Sequence, residues 1–224
     1  MAIAYDNGTG VFTVATNPGT FDHTVGAGSN RILFVGIYGD TNRTVTAASY
    51  NGVAMTAVST QIDLSDDHFN ALYYLVAPDT GTNTVSVTCD NTSNLAMFAV
   101  SYTGAAQASP IGGITKSSAT TDPIAVTVTV GTDNSWIVAC IGAQGPTAYT
   151  PGANTTYRVG GDPSEPTRAG AAYDTNSAQA AGSRDMNFDP NSGPTVASYF
   201  LAEFKEATGG GGGARLFTLL GVGT

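Results

Sequence analysis

Residues 31–38 read Arg-Ile-Leu-Phe-Val-Gly-Ile-Tyr, and this run decides the fold class. It has strand length, β-branched and aromatic residues, and apolar side chains at nearly every position. A strand sends alternate side chains to opposite faces. Leu33, Val35 and Ile37 therefore share one face and Ile32, Phe34 and Tyr38 the other, and both faces are apolar. A sandwich strand normally shows one face to water and reads as an alternation. This one predicts a central strand covered on both sides. The cover expected is the N-terminal strand, a long loop from 143–194, or a neighbouring subunit. The last option makes Ile32, Phe34 and Tyr38 a candidate oligomer face in a homo-oligomer.

Strand signals continue in both directions. Ile3 to Val14 reads as an opening strand or hairpin turning at Asn7-Gly8, and Phe21 to Val25 as a short alternating strand. Asn51-Gly52 between β-rich flanks is a hairpin signal. Ala71–Val76, Thr84–Cys89, Leu95–Tyr102, Ile124–Val130, Trp136–Ile141 and Val196–Phe204 are further strands. The span 143–194 is poorer, with short strands expected near 157–159, 171–173 and 186–188. Gly, Pro, Asn and Thr interrupt every stretch that could carry a helical period. Many short strands without crossover helices predict an all-β fold, an antiparallel two-sheet sandwich, jelly-roll-like, with a flexible C-terminal tail. The divisions are a sandwich over 1–207, a glycine tether over 208–213 and an apolar docking peptide over 214–224. Ser29–Val35 resembles Asp133–Ala139, and Ala96–Gly104 resembles Ala197–Lys205. A duplication would explain this; the simpler reading adopted is that central strands of one sandwich share composition.

At this point the chain resembles a known family. Ser29-Asn30-Arg31-Ile32-Leu33-Phe34-Val35, Tyr50-Asn51-Gly52-Val53-Ala54-Met55-Thr56, Leu72-Tyr73-Tyr74-Leu75 with Pro78 and Gly81, and Ser101-Tyr102-Thr103-Gly104-Ala105 carry the likeness. The family consists of β-sandwich proteins of tailed-phage genomes and uncultured bacteria, mostly without assigned function. The likeness covers roughly residues 20–207. It implies a structural or adhesive module of phage particles and brings no catalytic residues.

Composition narrows the function. The chain has 224 residues and a formal net charge of −9, yet only 11% are charged, so Thr, Ser, Asn and Gly must make its surface polar. Eight basic residues without a cluster cannot displace phosphate counterions, which argues against nucleic acid as a partner. No apolar run reaches the ~20 residues of a membrane-spanning helix. The start, Met-Ala-Ile-Ala-Tyr-Asp, has no signal-peptide pattern, so the expected location is a virion assembled in a host cytoplasm.

No chemical constellation emerges, and neither enzyme activity nor a cofactor is expected. His23 and His68 lack nucleophile partners, and Gly112-Gly113-Ile114-Thr115-Lys116-Ser117 lacks the Gly-Lys-Ser order of a phosphate loop and reads as a loop rich in small residues. Cys89 and Cys140 read as two buried thiols rather than a disulfide. Two Cys and two His without paired spacing exclude zinc. Asp63, Asp66 and Asp67 are the one calcium candidate, against the blander reading of a solvated acidic loop. Glu165, Glu203 and Glu206 offer no basis for a glycosidase pair. A glycan on a host surface is a second candidate partner, with Tyr149 and Tyr157 as the aromatic contacts because they fall in the loop-rich region.

The remaining signal is the end of the chain. Gly209–Gly213 precede Leu216, Phe217, Leu219, Leu220 and Val222. Five such side chains represent a gross transfer free energy of ~7 to 15 kcal/mol if buried, while ordering the peptide costs ~1 to 2 kcal/mol per residue. The expectation is a docking peptide that gains strength over many copies, fastening a non-enzymatic capsid decoration, head-fibre-like or minor capsid subunit to other virion proteins or to copies of itself. The alternatives are a glycan-binding adhesion module and a surface filament subunit that donates the tail as a strand.

Overall fold

The computed structural model describes residues 1–40, 43–64, 68–92, 94–121, 123–144, 149–160, 169–190 and 196–208. The first half of the chain forms β1 (Ala4–Val14), β2 (Gly19–Val25), β3 (Ile32–Asp40), β4 (Val45–Tyr50), β5 (Val53–Ala54), β6 (Thr56–Ala57), β7 (Ile62–Asp63), β8 (His68–Val76), β9 (Gly81–Cys89) and β10 (Leu95–Thr103). The second half forms β11 (Ile111–Ala119), β12 (Ile124–Val130), β13 (Trp136–Gln144), β14 (Tyr149–Pro151), β15 (Thr156–Gly160), β16 (Ala169–Asp174), β17 (Gly182–Pro190) and β18 (Val196–Phe204). The protein is an all-β antiparallel sandwich, and its described sheets number four rather than the expected two. In stacking order they are an outer sheet β2-β9-β4-β5, an inner sheet β1-β10-β3-β8-β6 with β7 on β8, a second inner sheet β11-β18-β13-β16-β15, and a second outer sheet β12-β17-β14.

Three apolar cores fill the three gaps. Leu33, Val35 and Ile37 meet Phe21, Val85 and Val87 between the first outer and inner sheets. Ile32, Phe34 and Tyr38 meet Trp136, Val138 and Phe204 between the two inner sheets. Ile137, Ala139 and Ile141 meet Val126, Met186 and Phe188 in the third gap. The two-faced apolar strand at 32–40 is thus covered from within. Ile32, Phe34 and Tyr38, expected as a candidate oligomer face, are wholly buried against the second half of the same chain. Six large side chains in the middle gap (Ile32, Phe34, Tyr38, Tyr102, Trp136 and Phe204) account for on the order of 10 kcal/mol of gross burial, so the halves form one body.

Each half is a jelly roll. In both, the first strand pairs with the last, the second with the second-to-last, and the third with the third-to-last, as though one long hairpin were rolled up. These pairs are β1·β10, β2·β9 and β3·β8 in the first half, and β11·β18, β12·β17 and β13·β16 in the second. The strand orders of the inner sheets match term by term, with β5 and β6 together standing for one strand.

The likeness extends to single residues. Ile32 pairs with Tyr102 as Trp136 pairs with Phe204, and Val35 with Tyr73 as Ala139 with Tyr173. β2 and β12 have the same buried-exposed alternation over seven residues. Asn30 and Asn134 take the same left-handed turn before β3 and β13, and Asn51 and Asn154 do so after β4 and β14. The two halves thus repeat one topology and register, a likeness that goes beyond the shared strand composition expected of one sandwich. The likeness at the last strand is real but one residue out of step: the ladder sets Ala96 against Ser198 rather than Ala197.

Two other expectations change. β1 does not turn at Asn7-Gly8; both residues stay in the ladder, opposite Ser101 and Val100. The irregularity there is a bulge at Asp6. Gly112–Ser117, expected as a small-residue loop, lies in edge strand β11. Its low apolar content hid it, because it is only partly buried and pairs with β18 alone. The Asn51-Gly52 hairpin forms as expected, with both residues at positive φ, 48° and 75°.

Candidate functional surfaces

The polar groups inside the body serve the fold. β1 and β11 bulge at the same place, and a carboxylate fills the space each bulge opens. In the second half it is Glu203 of β18. Its Oε2 accepts from the backbone N–H groups of Gly113 and Gly131, both at 2.8 Å, and its Oε1 from Thr132 N at 3.0 Å and the Ser135 hydroxyl at 2.8 Å. Burial alone would raise the Glu203 pKa, but these four donors outweigh it and hold the carboxyl below its ordinary range. In the first half the carboxylate comes from the other strand. Asp6 of β1 accepts from Gly26 N at 2.8 Å and from the Ser101 hydroxyl at 2.7 Å. Gly26 and Gly131 are equivalent, as are Ser101 and Glu203. One turn is thus clamped twice, from opposite strands.

His23 extends the first clamp. Its Nε2 lies 3.2 Å from Ser101 Oγ and its Nδ1 3.0 Å from Thr9 Oγ1. The set Asp6–Ser101–His23 contains the residue types of a hydrolytic triad in the wrong order. The carboxylate orients the hydroxyl rather than the imidazole, and a triad needs the reverse. His23 and Ser101 are buried. Burial, against a smaller opposing pull from Asp6, lowers the His23 pKa to about 4, so the ring is neutral at pH 7.

A charged seam ties the halves together along one flank. Arg158 is the bulge residue of β15. Its Nε donates to Asp174 Oδ2 at 2.6 Å, the Tyr102 hydroxyl donates to the same oxygen at 2.9 Å, and the guanidinium stacks 4.1 Å from the Tyr5 ring centroid. Burial raises the Asp174 pKa despite Arg158. Deeper in the same interface, Asn70 Nδ2 donates to Ser198 Oγ at 3.2 Å. On the opposite flank the Lys116 ammonium donates to the carbonyl and hydroxyl oxygens of Thr60. Beside it an open groove of about 470 Å³ is lined by Gln61, Asp63, Leu64, Lys116, Ser118 and Val196, among others.

Outer surfaces are polar through hydroxyls, as composition requires. Thr20, Asp22, Thr24, Thr82 and Thr84 point outward from one outer sheet, and Thr127, Thr129, Ser183 and Asp185 from the other. Thr84 donates to Asp22 at 2.8 Å, and at the equivalent place Thr127 donates to Asp185 at 2.6 Å. Among the described residues the exposed large apolar side chains are Met1, Val53, Ile114 and Tyr157, on separate strands or the chain end.

Tyr157 is 42% exposed, but its hydroxyl donates to the Gly160 carbonyl and its ring abuts Tyr173. Tyr149 lies in β14, with its side chain outside the described residues. Asp63 is exposed in β7, where Gln61 donates to it at 2.5 Å; Asp66 and Asp67 lie outside the described residues. Cys89 and Cys140 are free, buried and in different cores. Leu216, Phe217, Leu219, Leu220 and Val222 lie outside the described residues. The last described stretch is held firmly: Ala207 N donates to the Gly104 carbonyl at 2.7 Å, and its carbonyl accepts from Met1 N at 3.0 Å. The Asp6–Ser101 and Glu203 clamps escape sequence reading because they join strands far apart in the chain, and the Arg158–Asp174 pair because it depends on the bulge at Arg158. No protein-family model, curated protein or solved structure matches this chain.

Proposed function

We propose that the protein is a non-enzymatic structural subunit of a tailed-phage virion, a capsid decoration, head-fibre-like or minor capsid protein, attached through residues 214–224. The observation that carries this reading is the closure of the body by residue 208. Both jelly rolls have their strand pairs from first to last, and Ala207 is hydrogen-bonded on both sides. Among the described residues these pairs are all made without the C-terminal peptide. Its described surface is hydroxyl-rich, with apolar side chains exposed only singly. The sequence sets five large apolar residues, Leu216, Phe217, Leu219, Leu220 and Val222, close together behind five glycines. A tether of that length reaches ~12 Å root-mean-square, enough to find a groove or sheet edge on a neighbour.

The test is truncation after Thr208. The expected product is folded, with the Tm of the full chain, and fails to join particles in a co-assembly assay. A truncated chain that unfolds makes the peptide part of the body and ends the attachment reading. A truncated chain that still joins particles moves the attachment to the body.

A further inference from the structure

The inner sheets pack about a pseudo-two-fold axis. β10 lies on β16 and, equivalently, β18 on β8, while β3 crosses its own counterpart β13. Residues on such an axis face their own equivalents. Tyr102 meets its counterpart Phe204 with ring centroids 4.8 Å apart. Gly36 meets its counterpart Cys140: a Cβ on Gly36 would stand 2.4 Å from Cys140 Sγ. Tyr38 meets its counterpart Gly142: a Cβ there would stand 2.0 Å from the Tyr38 ring.

At two of these three self-facing positions one half carries a glycine and the other a larger side chain. Near the axis the pattern repeats: Gly170 makes room for Phe98, while its counterpart Asn70 donates to Ser198. Interior packing leaves neither overlap nor void without penalty. Two first-half faces would set Tyr38 against Tyr38 in a space that holds one ring. Two second-half faces would set Gly142 against Gly142 and leave that space empty.

We infer that residues 36, 38, 140 and 142 are the specificity determinants of half-to-half recognition: they make the inner faces fit each other and prevent either from fitting its own copy. The partner class for each face is therefore the unlike half. Where many copies of the chain fold side by side, this excludes like-half mispairing between neighbours. The inference does not depend on the virion reading.

The test uses full-length chain and two exchanges across the axis. Tyr38→Gly empties the shared space, Gly142→Tyr doubly fills it, and the pair together returns one tyrosine to it from the opposite sheet. Both single variants are expected to lose more than ~5 °C in Tm, and the double variant to regain at least half of the larger loss. A milder exchange covers failure of Gly142→Tyr to fold. Gly36→Ala should lower Tm, and adding Cys140→Ala, which removes the sulfur in the way, should raise it again. Additive losses in the exchange that folds would overturn the inference, because they would mean that the paired positions do not share one space.

Discussion

Replacing Glu203 by glutamine tests whether the buried carboxylate clamps the turn after β12. The carboxylate accepts four hydrogen bonds, two at each oxygen. A glutamine keeps its best geometry with the amide oxygen at the Oε2 position, facing Gly113 and Gly131. Its NH₂ then faces Thr132 N–H, which loses its acceptor, and Ser135, whose hydroxyl can rotate to accept. One orphaned donor costs ~1 to 3 kcal/mol, and losing the charge weakens the surviving bonds by up to ~1 kcal/mol each. The expected loss is ~3 to 5 kcal/mol, or roughly 6 to 20 °C in Tm for a chain of this length. The assay is urea unfolding followed by tryptophan fluorescence, since Trp136 lies in the adjacent core. The acid profile adds a second readout. A carboxyl with a depressed folded pKa contributes stability above its unfolded pKa and loses it as pH falls through the folded value. Wild type should therefore lose stability below pH ~4.5 more steeply than Glu203→Gln. A variant within 0.5 kcal/mol of wild type at pH 7, with an unchanged acid limb, would refute the clamp, since ~0.5 kcal/mol is the scatter of a neutral surface change.

Three further outcomes are expected. Arg158→Ala leaves Asp174 buried without its cation and should cost about 3 kcal/mol at pH 7. Asp174 already has a raised pKa, so the deficit should shrink on acidification as its carboxyl becomes neutral; a pH-independent deficit in urea titrations would contradict this. His23, with a pKa lowered from 6.5 to about 4, binds its proton in the unfolded state first. Stability should fall by ~1.4 kcal/mol per pH unit between those values, and His23→Gln should remove that slope. Burial pushes the Cys89 thiol up to about 11 and the Cys140 thiol to about 12. A disulfide-exchange reagent at pH 8 should label neither in the native protein and both in denaturant, without prior reduction.

The sequence by itself determined the class of the fold. Period-two alternation at Phe21–Val25 and Ile124–Val130, Asn-Gly turn chemistry at 51–52 and the lack of helical periodicity are local, so they can be read from neighbours along the chain. It also determined that the strand at 32–38 must be buried on both faces. What covers Ile32, Phe34 and Tyr38 was decided only in three dimensions, because burial is written in one strand while the cover, β13 and β18, lies roughly 100 and 165 residues away. The repeat of one topology in the two halves shows the same limit. Gly142 and Tyr38 hold equivalent places yet look unlike in sequence, although packing makes their difference the condition of their contact. Glu203 and Asp6 perform one task from different strands, and only the ladders that bring Gly26 and Gly131 into register reveal it. Strand identity is set by nearest neighbours; partnership across the core is set by shape, and shape exists only after the chain has folded.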